Sequence, residues 1–148
     1  MLRSPRVWLF AAGGWLLLGG VVHLAWHVWA VLLENGVEGQ RAFAIGAMRQ
    51  AYLVEPLAPS LWRVFRMLSA SFALWLLFAG SVNVALAWTG AEARTLRAIA
   101  LLGTLFWTAA FVPYAFLDPV LGALVVAGVA VPLHGIAFLT ASEEASHP

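Results

Sequence analysis

Long apolar stretches separated by short polar segments make up most of the chain. They cover residues 8–33, 61–88, 96–117 and 120–140. A helix needs about 20 apolar residues to cross the hydrocarbon core of a bilayer, and each stretch is long enough. We therefore predict an all-α, polytopic membrane protein, 1–148, with a bundle of four transmembrane helices in a single domain.

The first stretch raises the question of a secretory signal peptide, because Arg3 and Arg6 precede it. The apolar core of a signal peptide is about 7–15 residues long and ends at a cleavage site of small residues. The stretch 8–33 is longer and no such site follows it. We predict a span that is retained in the protein.

Aromatic and basic residues at the ends of the stretches bear on their placement in the bilayer. Tryptophan favours both membrane interfaces, and tryptophans bracket the first span and the second span. The positive-inside count is tied between the two faces, so we expect cytoplasmic termini because the first span often sets orientation. The bracketing tryptophans are Trp8, Trp29, Trp62 and Trp88. The arginines predicted on the face of the termini are Arg3, Arg6, Arg94 and Arg97, and those predicted on the opposite face are Arg41, Arg49, Arg63 and Arg66.

The polar segments predict the connections. Segment 34–60 is the only sizeable loop, and it opens with the turn dipeptide Asn35-Gly36. Within it, residues 39–51 place Phe43, Ile45 and Met48 near Arg41, Arg49 and Gln50, which predicts a short amphipathic helix on the membrane surface. Asp118-Pro119 predicts a tight turn, so the third and fourth spans should form an antiparallel hairpin.

Small residues within each span predict how the helices pack. Helices in lipid gain no hydrophobic energy from meeting, so they associate where small side chains allow close approach. The predicted packing positions are Gly13, Gly14, Gly19 and Gly20; Ser69, Ala73, Gly80 and Asn83; Ala100, Thr104 and Thr108; and Ala123, Ala127, Ala130 and Ala137.

Composition supports this placement and excludes several functions. The chain is 63% hydrophobic and 10% charged, with a mean hydropathy of +0.90, far more apolar than a soluble domain. It has no cysteine, which excludes disulfides and thiolate chemistry. A net charge of +1 gives no basis for nucleic-acid binding. All eight basic residues are arginine, which is typical of GC-rich bacterial genomes, so we expect a bacterial cytoplasmic (inner) membrane.

Three histidines within spans are the candidate chemical residues. His23 and His27 lie one turn apart on the same side of the first span, and His134 lies on the alanine face of the fourth. Polar groups inside a membrane are functional candidates because burying them in lipid is unfavourable. We take all three as candidate anchors for a tetrapyrrole or another lipophilic ligand.

Haem and metal binding are two of four hypotheses for these histidines. A bis-histidine haem needs its two ligands at similar depth, whereas His23 and His134 are predicted to differ by about 13 Å. The His23-x-x-x-His27 spacing suits a metal, with Glu34, Glu55 or Asp118 as further ligands. No H-E-x-x-H motif and no second histidine pair are present. We therefore predict no metal site.

The other two hypotheses are a chlorophyll-type tetrapyrrole and a structural role. Gly19-x-x-x-His23 resembles the short motif of light-harvesting polypeptides, and Ala130-x-x-x-His134 repeats the spacing. The structural hypothesis is favoured: the histidines hydrogen-bond across helices, to Asn83, threonines or backbone carbonyls. Ser69, Ser71, Ser81, Thr104 and Thr108 are expected to bond back to their own helices. With no catalytic set in the sequence, we predict that the chain is not an enzyme.

Two segments carry a family resemblance. Residues 14–23, Gly-Trp-Leu-Leu-Leu-Gly-Gly-Val-Val-His, and residues 60–63, Ser-Leu-Trp-Arg, resemble small uncharacterised four-helix bacterial inner-membrane proteins. More loosely, the layout is similar to the DoxX-like group. The resemblance implies a four-span inner-membrane protein with no settled activity, and it transfers no functional residue.

The functional expectation follows from what the sequence contains and lacks. A chain that is nearly all membrane-embedded, with packing positions on every span, suggests a non-enzymatic accessory or scaffold subunit of a larger membrane complex. Its partners would be lipids and other membrane subunits or further copies of itself. The alternative is a binder of a quinone, pigment or lipid that uses the histidines. A small transporter acting as an oligomer is a weaker alternative, since midplane charge and repeats are missing.

Overall fold

The computed structural model describes residues 4–32, 38–51, 60–116 and 120–145, with side chains from 4–29, 38–51, 60–116 and 120–142. The described residues form five helices. They are α1 (Pro5–Leu32), α2 (Gln40–Gln50), α3 (Leu61–Trp88), α4 (Ala93–Phe116) and α5 (Leu121–Ala145).

Four of these helices, α1, α3, α4 and α5, are long and apolar enough to cross a membrane. This confirms the predicted all-α fold class with four membrane-spanning helices. The second predicted span matches α3 at both ends, and the ends of the other three predicted spans differ from those of α1, α4 and α5 by a few residues. The short helix predicted within 39–51 is α2. The turns predicted at Asn35-Gly36 and Asp118-Pro119 lie outside the described residues.

The chain divides into two compact units. The first contains residues 1–19 and 76–148, and the second contains residues 20–75. Helices α1 and α3 contribute one part to each unit, because each division point lies within a helix. The prediction of a single transmembrane domain stays a prediction.

In the first unit, α1 and α3 cross at a pair of glycines. A Cβ built on Gly13 would lie 2.8 Å from the carbonyl oxygen of Gly80, and one built on Gly80 would lie 2.8 Å from that of Gly13. Backbone meets backbone here, so neither position has room for a side chain. The crossing confirms that these two predicted packing positions bring the helices together.

Helices α4 and α5 form the antiparallel pair predicted for the last two spans. Ala100, near the start of α4, packs with Ala137, near the end of α5, in a cluster that also contains Leu9 and Leu96. At the other end of the pair, Gly128 lies beside the ring of Phe111. The residues of α4 thus meet those of α5 in reverse order, which is the register of a hairpin.

An arginine of α1 joins the turn between α3 and α4 in the first unit. Nη2 of Arg6 donates to the carbonyl oxygen of Gly90 at 3.3 Å and to that of Ala91 at 3.5 Å. Gly90 has a φ of +72°, a conformation that glycine adopts without the steric strain of a side chain. The N-terminus of α1 therefore lies at the same end of this unit as the α3–α4 turn.

The second unit packs α2 against parts of α1 and α3. Ile45 of α2 is buried, whereas Phe43 is exposed, so the helix has one inward face. The guanidinium of Arg41 lies 5.2 Å from the centre of the Trp29 ring, within range of a cation–π contact. The backbone N–H of Leu61 donates to the carbonyl oxygen of Ala51 at 2.8 Å, which fixes the start of α3 beside the end of α2.

One predicted packing face is partly wrong. On α4, the sequence pointed to Ala100, Thr104 and Thr108, but Thr108 is exposed. The buried positions are instead Leu96, Ala100 and Trp107. Their spacing of four and seven residues defines a stripe that winds away from Thr108, and Gly103 lies between them on the same stripe.

Candidate functional site

One intramembrane histidine, His134, is held by hydrogen bonds at both ring nitrogens. Its Nδ1–H donates to the carbonyl oxygen of Ala130, one turn earlier on α5, at 2.8 Å. Its Nε2 accepts a hydrogen bond from the Asn83 side-chain amide of α3 at 2.9 Å. His134 is 2% exposed and Asn83 is 5% exposed, so this bond joins α3 to α5 out of contact with solvent or lipid.

The ring of His134 fits against α4 because residue 103 is glycine. A Cβ built on Gly103 would lie 2.6 Å from Nε2 and 2.8 Å from Cγ of His134, which leaves no room for any side chain. The imidazole therefore lies against residue 103 of α4 while it bonds to Asn83. Gly103 was not among the packing positions predicted for the third span, although it shares a helical stripe with Leu96 and Ala100.

These contacts give His134 a structural role. The Nδ1–H tautomer is set by the Ala130 carbonyl, and both polar atoms of the ring are used. This agrees with the favoured hypothesis of hydrogen bonds across helices. It also leaves no ring nitrogen of His134 with which to ligate a tetrapyrrole.

The other two histidines share one hydroxyl group in the second unit. Nε2 of His23 and Oγ of Ser69 are hydrogen-bonded at 3.1 Å, and Nδ1 of His27 and the same Oγ at 3.1 Å. Ser69 is buried and lies on α3, whereas both imidazoles on α1 are half-buried. We call His23, His27 and Ser69 the histidine–serine cluster.

Two aromatic rings border the histidine–serine cluster. The edge of the Phe72 ring contacts the His23 ring, with centroids 5.2 Å apart and planes at 80°. Trp26 also lies beside the His23 ring, with centroids 5.8 Å apart and planes at 42°. Trp26 is 44% exposed, so an apolar surface reaches outward beside the half-buried histidines.

The prediction that Ser69 bonds back to its own helix is wrong. Thr104 does bond back, to the carbonyl of Ala100, as the sequence analysis expected. For Ser69, the hydrogen bonds within the described part of the chain are those to the two imidazoles. Its hydroxyl hydrogen can be directed to one of them while its oxygen accepts from the other.

The metal and tetrapyrrole hypotheses raised from the sequence concern these same histidines. Among the described residues, no three histidine or acidic side chains come together to hold a metal ion. Glu34, Glu55 and Asp118, the further ligands considered from the sequence, lie outside the described residues.

These features define the class of protein as an all-helical membrane protein with a cluster of polar side chains on two of its apolar helices. Comparison with known proteins adds no family: no family model, curated protein or solved structure matches the chain.

Proposed function

We propose that this protein is a non-enzymatic, multi-pass membrane protein that binds a lipophilic ligand, whose polar head is held by the histidine–serine cluster. The observation that supports the proposal is a pair of half-buried imidazoles that each use one ring nitrogen on the buried Ser69 hydroxyl. The second nitrogen of each ring, Nδ1 of His23 and Nε2 of His27, has no recorded hydrogen bond within the described residues.

Each of these two nitrogens is energetically unfavourable if no hydrogen-bond partner meets it. A polar group that faces hydrocarbon without a partner is destabilising by several kcal/mol, roughly 2–7 depending on the reference state. Apolar rings beside the cluster, Trp26 and Phe72, provide a surface for a chain or ring but no hydrogen bonds. A ligand with a polar head and an apolar body would satisfy both parts of this surface.

His134 differs from the cluster in this respect and is left out of the proposed site. Both of its nitrogens are already bonded, and its ring is covered by α4. A ligand that bonds to either ring nitrogen of His134 would have to break the hydrogen bond already made there. The contrast makes the two kinds of histidine separable by mutation.

Extraction of the purified protein tests the proposal. The protein would be isolated from native membranes in a mild detergent, and its bound small molecules would be extracted and measured by mass spectrometry. We expect one lipophilic species enriched over bulk lipid in wild type and lost in the double variant His23→Ala/His27→Ala. Val28→Ala, a truncation of an exposed apolar residue on the same helix, is the matched control and should retain it.

The proposal is contradicted if wild type and the double variant carry the same molecules in the proportions of bulk lipid, because no ligand is then held by the cluster. The double variant must retain the helical circular dichroism of wild type for its loss of ligand to count as a binding effect.

We place the protein in the cytoplasmic (inner) membrane of a bacterium with both termini in the cytoplasm, as the sequence analysis predicts. The accessory or scaffold role also stays a prediction. It makes a separate demand, a partner subunit that co-purifies at fixed stoichiometry. The same native preparation tests it, since a monodisperse monomer without a partner would oppose it and leave ligand binding unaffected.

A further inference from the structure

The histidine–serine cluster restricts which head group it can bind. A neutral imidazole carries one N–H donor and one nitrogen acceptor, and a serine hydroxyl carries one donor hydrogen. Charged imidazoles are unfavourable inside a membrane, so both rings are treated as neutral. The hydrogens must then be shared among Nε2 of His23, Oγ of Ser69 and Nδ1 of His27.

If both imidazoles donated to Oγ, the hydroxyl hydrogen of Ser69 would have no acceptor among the described residues. Two arrangements use that hydrogen and also satisfy both hydrogen bonds. In one, Ser69 donates to Nε2 of His23, and Nδ1–H of His27 donates to Ser69. In the other, Ser69 donates to Nδ1 of His27, and Nε2–H of His23 donates to Ser69. In each arrangement, one of the two remaining ring nitrogens carries a hydrogen and the other carries a lone pair.

We propose that Ser69 couples the tautomers of His23 and His27, so that the cluster selects a lipophilic molecule whose head group both donates and accepts a hydrogen bond. A long-chain alcohol or an undissociated long-chain carboxylic acid has this chemistry. An ether or ester only accepts, and it would leave the imidazole lone pair without a donor. This inference rests on the proposed function, because it specifies the ligand of the same site.

The coupling has a signature that does not depend on any ligand. Ser69 meets the ε nitrogen of one ring and the δ nitrogen of the other. The two arrangements therefore give both rings the Nδ1–H tautomer or both rings the Nε2–H tautomer, never one of each. Nitrogen-15 spectra of histidine-labelled protein distinguish these tautomers, and His134 supplies an internal reference as the Nδ1–H form.

The test uses two probes that differ only in the donor hydrogen: 1-dodecanol and 1-methoxydodecane. Each is titrated into the full-length protein in lipid nanodiscs, with its concentration measured in the bilayer, and binding is followed by the nitrogen-15 shifts of His23 and His27. Leaving a buried acceptor unpaired lowers affinity by an amount that corresponds to about tenfold or more. We expect the alcohol to bind at least about tenfold more tightly than the ether.

Two variants of Ser69 test the coupling itself. Ser69→Ala removes the shared hydroxyl, so each ring sets its own tautomer and the alcohol-to-ether ratio should fall toward one. Ser69→Thr retains the hydroxyl and should retain the ratio. If Ser69→Ala fails to fold, the wild-type ratio and the tautomer spectra still decide the question.

The outcomes separate this inference from the proposed function. Equal binding of the two probes, or His23 and His27 in opposite tautomers, would overturn the coupling while ligand binding stands. If neither probe shifts the histidine nitrogens and no ligand is extracted, the proposed function fails and this inference fails with it. A free alcohol, a free acid and a hydroxyl-bearing lipid share the required chemistry, and the mass of the extracted molecule tells them apart.

Discussion

Replacing Gly103 by alanine would test the placement of His134. The new methyl group would lie 2.6 Å from Nε2 and 2.8 Å from Cγ of His134, too close for any real contact. The imidazole cannot turn away without breaking its 2.9 Å hydrogen bond with Asn83. The substitution therefore adds steric crowding and removes a buried polar contact together.

The size of the effect follows from three contributions. Overpacking a filled interior is destabilising by about 1–3 kcal/mol. Leaving the imidazole and the Asn83 amide unpaired adds about 1–3 kcal/mol. Alanine is a better helix former than glycine by up to about 1 kcal/mol, which opposes both. We expect Gly103→Ala to lower the free energy of unfolding by about 1–5 kcal/mol.

The assay is unfolding by sodium dodecyl sulfate from a mild detergent, followed by circular dichroism. Gly14→Ala is the matched control, because a Cβ at Gly14 meets nothing within 4 Å. This control should be neutral or stabilising by up to about 1 kcal/mol. In a His134→Ala background, where the ring is gone, Gly103→Ala should also become nearly neutral.

The double-mutant comparison makes the reasoning refutable. Gly103→Ala could prove as stable as Gly14→Ala, or its loss could be the same with and without the His134 ring. In either case the imidazole does not lie against residue 103, and the structural role of His134 would have to be abandoned.

Further predictions concern helix crossing, the buried amide and topology. Gly80→Ala should lower the free energy of unfolding in the same assay by about 1–3 kcal/mol, because its Cβ would lie 2.8 Å from the Gly13 carbonyl oxygen. An unchanged free energy would contradict the crossing of α1 and α3 at these glycines. Asn83→Leu should lower it by about 1–3 kcal/mol, since Nε2 of His134 loses its donor, and the nitrogen-15 signal of that atom should move; an unmoved signal would disprove the bond. The chain has no cysteine, so a single cysteine can be placed at Ser4 or at Thr89 and labelled with an impermeant maleimide. Both should react from the cytoplasmic side only. Labelling from opposite sides would refute the placement of the α1 N-terminus at the same end as the α3–α4 turn.

Much of the fold could be predicted from the sequence because lipid imposes simple demands. A segment that crosses a bilayer must be apolar over about 20 residues and must satisfy its own backbone hydrogen bonds as a helix. Those demands are visible along the chain, and they gave α3 its correct bounds at Leu61 and Trp88. They also gave the hairpin of α4 and α5, which follows from a short connection alone.

The inward faces of the helices were harder to predict. A soluble helix shows its buried face by the contrast between apolar and polar residues, but a membrane helix is apolar all round. On α4, the polar residues Thr104 and Thr108 attracted attention, yet Thr108 is exposed and Trp107 is buried. Neither polarity nor size marked the buried stripe, since the large residues Leu96 and Trp107 share it with Ala100 and Gly103.

The histidines show why residue type and spacing could not settle the site. Gly19-x-x-x-His23 and Ala130-x-x-x-His134 look alike along the chain, with a small residue one turn before each imidazole. The two histidines differ in the residues that each ring contacts. His134 contacts Gly103 and the buried amide of Asn83. His23 contacts the Ser69 hydroxyl, which is also bonded to His27.

The consequence for function is a difference in hydrogen-bond capacity. The Ala130 carbonyl and the Asn83 amide use both ring nitrogens of His134, so the imidazole has none left for a ligand. One hydroxyl shared by two imidazoles cannot do so, because three groups joined in a row leave one donor and one acceptor at the two ends. Ser69 therefore matters to the proposed site more than either histidine alone, and Ser69→Ala, which spares both imidazoles, is the more discriminating substitution.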